Sequence, residues 1–179
     1  MKALIIYWSG TGNTKKVAVT IHDTLKNNGA SSVLKRAEEA MPEDLCEYDL
    51  VFIGSPSHNW QPPAPLLKYV LDKMDYYRER GDIKLSSPKL PGKRGVVFVT
   101  YGGPHTGVNE AIPVGKYLGQ LLEHLGFDLV GEWYIVGEFH GREDASTKGR
   151  LGDTRGRPNQ QDLDNVARDV KKLLESATD

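Results

Sequence analysis

The chain has 179 residues, of which 39% are hydrophobic, 26% charged and 8% aromatic; this is the length of one domain and a globular composition, which excludes collagen-like, low-complexity and disordered classes. Its 23 lysines and arginines against 24 aspartates and glutamates give a formal net charge of -1, so no global field draws it onto nucleic acid or an anionic bilayer. The single cysteine, Cys46, forms no internal disulfide and cannot hold an iron–sulfur cluster alone, so any redox chemistry needs another carrier.

The first apolar run, Ala3 to Trp8, turns at once into Ser-Gly-Thr-Gly and lacks the length of a signal core, so the expected location is cytoplasmic. No run approaches the roughly 20 residues of a membrane span, and no membrane insertion is expected. Val17, Ala18, Ile21 and Leu25 then form one helical stripe, stopped by Asn27-Asn28-Gly29. Ser32 to Arg36 reads as a weaker strand and Leu50 to Ile53 as a strand buried on both faces. Pro62, Pro63 and Pro65 fit only around a helix start, and Leu66, Leu67, Val70, Leu71 and Met74 carry that helix. Gly95 to Thr100 is the next strand, followed by a stripe of Val114, Tyr117, Leu118, Leu121, Leu122 and Leu125 that stops at Gly126. Glu132 to Val136 closes the set of strands, and Leu163, Val166, Ala167, Val170, Leu173 and Leu174 mark a last helix. Strands alternating with helices predict a doubly wound α/β fold, a five-stranded parallel sheet with helices on both faces, as a single domain over 1–179. Two stretches exceed the alternation and read as surface insertions, near 76–93 and 139–158.

In such a sheet a ligand binds beyond the carboxyl ends of the strands, where strand order reverses. The loop after the first strand, Ser9-Gly10-Thr11-Gly12-Asn13-Thr14, has small residues that let backbone N–H groups curl around an anion, hydroxyls that donate further, and a helix N-terminus behind it. A P-loop needs Gly-Lys-Ser/Thr at its end, and a dinucleotide fingerprint needs glycine where Lys15 stands; neither pattern is present.

Ser9, Thr11, Gly12 and Thr14 fall in the order Ser/Thr, any, Ser/Thr, Gly, any, Thr, and on this motif the chain resembles the flavodoxin family. The resemblance runs over essentially the whole chain, through Gly54 to Trp60 after the Leu50 strand and Thr100 to Gly107 after the Gly95 strand. It implies a flavodoxin-like fold with FMN as cofactor. Ser9, Gly10, Thr11, Gly12, Asn13 and Thr14 would hold the phosphate. Pro56, Ser57, His58, Asn59 and Trp60 on one side, and Thr100, Tyr101, Gly102, Gly103 and His105 on the other, would face the ring, with Trp60 or Tyr101 stacking on it.

The function so implied is electron transfer through the flavin between redox protein partners. The alternative on the same fold is an NAD(P)H-dependent reductase of a quinone or similar acceptor. Near-zero charge and a basic second insertion, with Arg142, Lys148, Arg150, Arg155 and Arg157, favour the alternative; the absence of a nicotinamide fingerprint favours the first. His58, His105 and His140 each follow a different strand; they either face one flavin edge, where a histidine can donate a proton to a reduced quinone or tune the flavin potential, or stand as independent surface residues. No metal is expected, since a site of these histidines with Glu138 or Asp144 requires convergence within bonding distance. Tyr76, Tyr77, Trp133 and Tyr134 would seed a homodimer contact if exposed, and not if placed in a core.

Overall fold

The computed structural model describes residues 1–176. Five strands, β1 (Lys2–Tyr7), β2 (Ser31–Arg36), β3 (Leu50–Pro56), β4 (Arg94–Tyr101) and β5 (Asp128–Val136), form one sheet in the order β2-β1-β3-β4-β5, and every neighbouring pair is parallel. The helices are α1 (Asn13–Asn27), α2 (Ala64–Arg80), α3 (Ile112–His124), α4 (Glu143–Thr147) and α5 (Gln160–Glu175). The chain thus runs outward in one direction from β1 to β2, then reverses through β3 to β5. That reversal leaves a crevice between the ends of β1 and β3.

Both sheet faces are covered, which explains the continuous apolar strands. Leu4, Ile6, Val51, Ile53, Val97 and Val99 pack with Leu66, Val70 and Met74 of α2 and with Val114, Leu118 and Leu122 of α3. On the other face Ala3, Ile5, Phe52 and Phe98 pack with Val17 and Ile21 of α1 and with Val166 and Val170 of α5. Helix α5 starts on a capping box in which the Asn159 side chain accepts from the Asp162 N–H while the Asp162 side chain accepts from the Asn159 N–H. Among the described residues no helix is long and apolar enough to cross a membrane.

Two segments differ from the sequence expectation. The stretch 76–93 is not an insertion from its start, because α2 continues to Arg80 and buries Lys73 and Tyr77 along with Leu66, Val70 and Met74. Leu71, assigned to the buried stripe, is 49% exposed instead. The segment 139–158 carries α4 and buries Ala145, Ser146 and Thr154. The Ser146 hydroxyl donates to the Phe139 carbonyl at 2.9 Å, and the Thr154 N–H to the Ser146 carbonyl at 2.7 Å, so this insertion is folded rather than a solvated loop. Tyr77 is buried, and Trp133 and Tyr134 pack against the two cores, which removes three of the four aromatics on which a dimer contact was to rest.

Candidate functional site

The crevice at the strand ends opens into a cleft of about 490 Å³, within the range of small-molecule sites. Its floor is the loop between β1 and α1. Gly12 adopts φ 101, a left-handed conformation that side chains avoid, and its N–H donates to the Ser9 hydroxyl at 3.1 Å. This turn brings the chain into α1 with no side-chain cap on the helix, so the first-turn N–H groups and the positive end of the helix dipole face the cleft. Ser9, Gly10, Thr11, Asn13 and Thr14 line it. Gly12 stands behind the lining as the turn that shapes it. Lys15 and Lys16 are exposed and neither lines the cleft, so the cradle is built of neutral donors.

Two of these side chains are already engaged. The Thr14 hydroxyl, 1% exposed, lies 2.7 Å from the hydroxyl of Thr100 at the end of β4. The Asn13 amide donates to the Glu138 carbonyl at 3.0 Å, and its oxygen lies 3.4 Å from His140 Nε2. Thr14 therefore ties β4 to the floor and Asn13 ties the second insertion to it, leaving their backbone N–H groups and the Ser9 and Thr11 hydroxyls as the free donors.

The walls come from the loops after β3 and β4. His58 and Gln61 exchange both backbone hydrogen bonds at 3.0 Å around Asn59 and Trp60, whose φ values are 48 and 63. This two-residue reversal with both central residues left-handed normally takes Asn then Gly. Here the second position is tryptophan, 61% exposed at the cleft mouth, an aromatic ring held in the open by a strained backbone. His58 meets Trp8 edge to face at 5.8 Å, and loss of water around its ring lowers its pKa below the usual value. Across the cleft Tyr101 is buried, which raises its phenol pKa, and Pro56, Ser57, Thr100, Gly102, Gly103 and His105 complete the walls.

Fifteen of the sixteen residues assigned from sequence thus line one cleft, Gly12 being the exception. His58, His105 and His140 are all among the residues that line it. Pro104, Glu110, Glu138, Phe139, His140 and Arg142 line it as well without having been assigned to the cofactor site. His140, Glu138 and Arg142 carried a signal as polar residues just past a strand end; Glu110 carried none. The second insertion is less basic than its sequence suggests, since Arg142 pairs with Asp144 at 2.9 Å, Arg155 with Asp153 at 2.6 Å, and Arg157 with Asp162. Among the described residues no group of three His, Cys, Asp or Glu side chains is placed to hold a metal ion.

A parallel sheet of order 2-1-3-4-5 with an uncapped, hydroxyl-rich helix start at its β1/β3 switch point defines a flavodoxin-like phosphate-binding protein. The sequence model of the flavodoxin family matches residues 5–175. The chain belongs to the flavodoxin family, and its cofactor is FMN. A curated relative from Archaeoglobus fulgidus, named NAD(P)H dehydrogenase (quinone), is 28% identical over 98% of this chain and 97% of its own. Flavodoxin of Megasphaera elsdenii is 32% identical over 55% of this chain and 64% of its own. The solved structure of a flavodoxin from Streptococcus pneumonia TIGR4 superimposes with a TM-score of 0.69 at 16% identity, covering 98% of this chain and 99% of that one. The cleft fits the cofactor: an uncapped helix start meets the anionic phosphate, and exposed Trp60 and buried Tyr101 offer aromatic surface for a planar ring.

Proposed function

We propose that this protein is an FMN-dependent reductase that oxidises NAD(P)H and reduces a quinone. The observation that carries the reading is that Glu138, Phe139, His140 and Arg142 of the second insertion line the same cleft as the cradle and the two ring-facing loops, a fourth wall from which a second ligand can be contacted. The full-length relative named NAD(P)H dehydrogenase (quinone) supports it, as does a net charge of -1, which provides no field to steer a protein partner.

The chemistry comes with FMN when it is bound: two electrons taken as hydride from the nicotinamide and passed to the quinone, which gains two protons as it becomes the quinol. The chain supplies the rest. The Ser9 and Thr11 hydroxyls and the backbone N–H groups of Asn13 and Thr14 hold the phosphate, and the Asn13 and Thr14 side chains keep the floor joined to its walls. Trp60 and Tyr101 flank the ring, with Ser57, Asn59 and Gly102 at its edge. Phe139, packed so close to Gly102 that a Cβ there would lie 2.8 Å from its ring, gives the second ligand an apolar face. Arg142, paired with Asp144, adds a polar group to the same wall.

A second reading, an electron carrier between protein partners, has the identity to Megasphaera elsdenii flavodoxin in its favour. Steady-state assay decides between them. The reductase consumes NADH or NADPH with a soluble benzoquinone at nanomolar protein, with turnover proportional to protein concentration. FMN-loaded protein that shows no such turnover, yet is reduced by a flavodoxin reductase, is a carrier.

A further inference from the structure

Glu110 ends a 3-10 turn (Gly107–Glu110) that leads into α3, and it lies on the cleft wall. Its side chain reaches back along its own loop: Oε1 accepts the N–H of His105 at 2.8 Å and of Thr106 at 2.7 Å, with the Thr106 hydroxyl at 3.5 Å. Its main chain reaches across the cleft, where its carbonyl accepts the Ser57 hydroxyl. One residue therefore bonds to the loop after β3 and to the loop after β4.

The folding of the second loop explains why the carboxylate is needed. Gly103 and Gly107 take φ 52 and 68, and the Gly107 N–H donates to the Gly103 carbonyl at 3.1 Å. A Cβ at Gly103 would lie 2.8 Å from the Gly107 oxygen, so the loop folds back too tightly for any other residue there. That fold turns the His105 and Thr106 N–H groups toward a common point, the arrangement of an anion-binding nest. The Glu110 carboxylate fills this nest from within the chain. The nest is therefore filled by an acceptor that the protein itself provides, which holds the loop after β4 folded back while the Glu110 carbonyl holds Ser57.

We infer that Glu110 is a positioning residue that fixes the two ring-facing loops relative to each other. The inference rests on the reading of the cleft walls as the flavin ring site. Two variants separate position from charge. In Glu110→Ala both N–H groups lose their acceptor, whereas in Glu110→Gln an amide oxygen still accepts them and the charge is gone.

The expected result is that Glu110→Ala binds FMN about tenfold more weakly and, at saturating FMN, shows a shifted visible spectrum and midpoint potential. Glu110→Gln is expected to restore both spectrum and potential to the wild-type values. An unchanged potential and spectrum in Glu110→Ala would overturn the inference, and so would equal damage in both variants, since charge rather than position would then be responsible. If Glu110→Ala fails to fold, amide hydrogen exchange on wild-type protein decides: the His105 and Thr106 amides should exchange slowly with and without FMN, and exchange at the rate of a free loop overturns the clamp. Wild-type protein that takes up no FMN would sink the ring-site reading instead, while the exchange result would still stand for or against the clamp.

Discussion

Thr11 and Thr14 are equivalent in the sequence motif but not in the structure. Thr11 is exposed in the cradle, whereas the Thr14 hydroxyl is buried against Thr100. Thr11→Val should therefore weaken FMN by about 1 kcal/mol, one hydrogen bond's worth, and leave the melting temperature of the FMN-free protein unchanged. Thr14→Val leaves the Thr100 hydroxyl buried without its partner, and should lower the stability of the FMN-free protein by about 1–3 kcal/mol as well as weakening FMN. Isothermal titration alongside thermal melts of both variants checks the contrast; equal melts would show that the Thr14–Thr100 contact contributes nothing. Trp60 is the reverse case. Its left-handed φ of 63 is unfavourable for tryptophan and easy for glycine. Trp60→Gly is expected to hold or raise the stability of the FMN-free protein, by up to about 1 kcal/mol, while FMN binds more weakly. A variant less stable than wild type without FMN would show that the ring stabilises the fold rather than being held ready for a ligand.

At the scale of elements, helix α2 is fastened by a polar cluster to the connection between β2 and β3. Lys73 Nζ, 1% exposed, donates to the Met41 carbonyl at 2.9 Å. The Tyr77 hydroxyl accepts the Leu45 N–H at 2.7 Å and donates to Asp44 at 3.1 Å, and Asp44 also takes Arg80 at 2.6 Å. Burial works to raise the Asp44 pKa, but the hydrogen bonds from Arg80, the Cys46 N–H and Tyr77 outweigh it and hold the carboxyl below its usual value. Glu43 is held low by Lys35 first and Tyr48 second. A carboxylate with a depressed folded-state pKa contributes stability above its unfolded pKa of about 4, and loses it as pH falls through the folded value. The melting temperature should therefore be level from neutral pH to about pH 5 and fall below about pH 4. Asp44→Asn should melt lower at neutral pH and show a shallower acid slope; a slope identical to wild type would take Asp44 out of the cluster's account. This cluster also marks where the sequence stopped being readable. The alternation of strands and helices, and the cradle motif, stood out because apolar periodicity and loop position are local properties. The buried side of the last turns of α2, which read as a charged solvated face, was hidden because Lys73 and Tyr77 occupy positions where apolar residues were sought, and their burial depends on acceptors about 30 residues away. Likewise α4 lacks an apolar stripe, its Ser146 being buried by hydrogen bonds to Phe139 and Thr154. Glu110 was invisible for the same reason, since a carboxylate in a Gly-rich loop declares no partner until the loop folds back.

For the molecule as a whole, loops from three strand ends and the second insertion meet at one cleft, so cofactor binding adds to the side-chain bonds that already join them, Thr14 to Thr100, Asn13 to Glu138 and Ser57 to Glu110. A ligand that binds only the folded state stabilises it by mass action, by about 2.7 kcal/mol at a free concentration of 100 times Kd. For a chain of this size that corresponds to a rise in melting temperature of about 5–10 °C. The shift should depend on the phosphate, because the floor of the cleft is an uncapped helix start with the Ser9 and Thr11 hydroxyls beside it. Riboflavin, which has the same ring and no phosphate, should therefore give a clearly smaller shift than FMN at equal concentration. The floor also presents neutral donors, with Lys15 and Lys16 outside the lining, so the shift from FMN should fall only weakly between low and high salt, unlike that of a site built on exposed lysines. Melting curves with FMN and riboflavin at two ionic strengths test both points together. Equal shifts from the two flavins would move the phosphate out of the cradle, and a steep loss with salt would mean that charged side chains close over it when the ligand is bound.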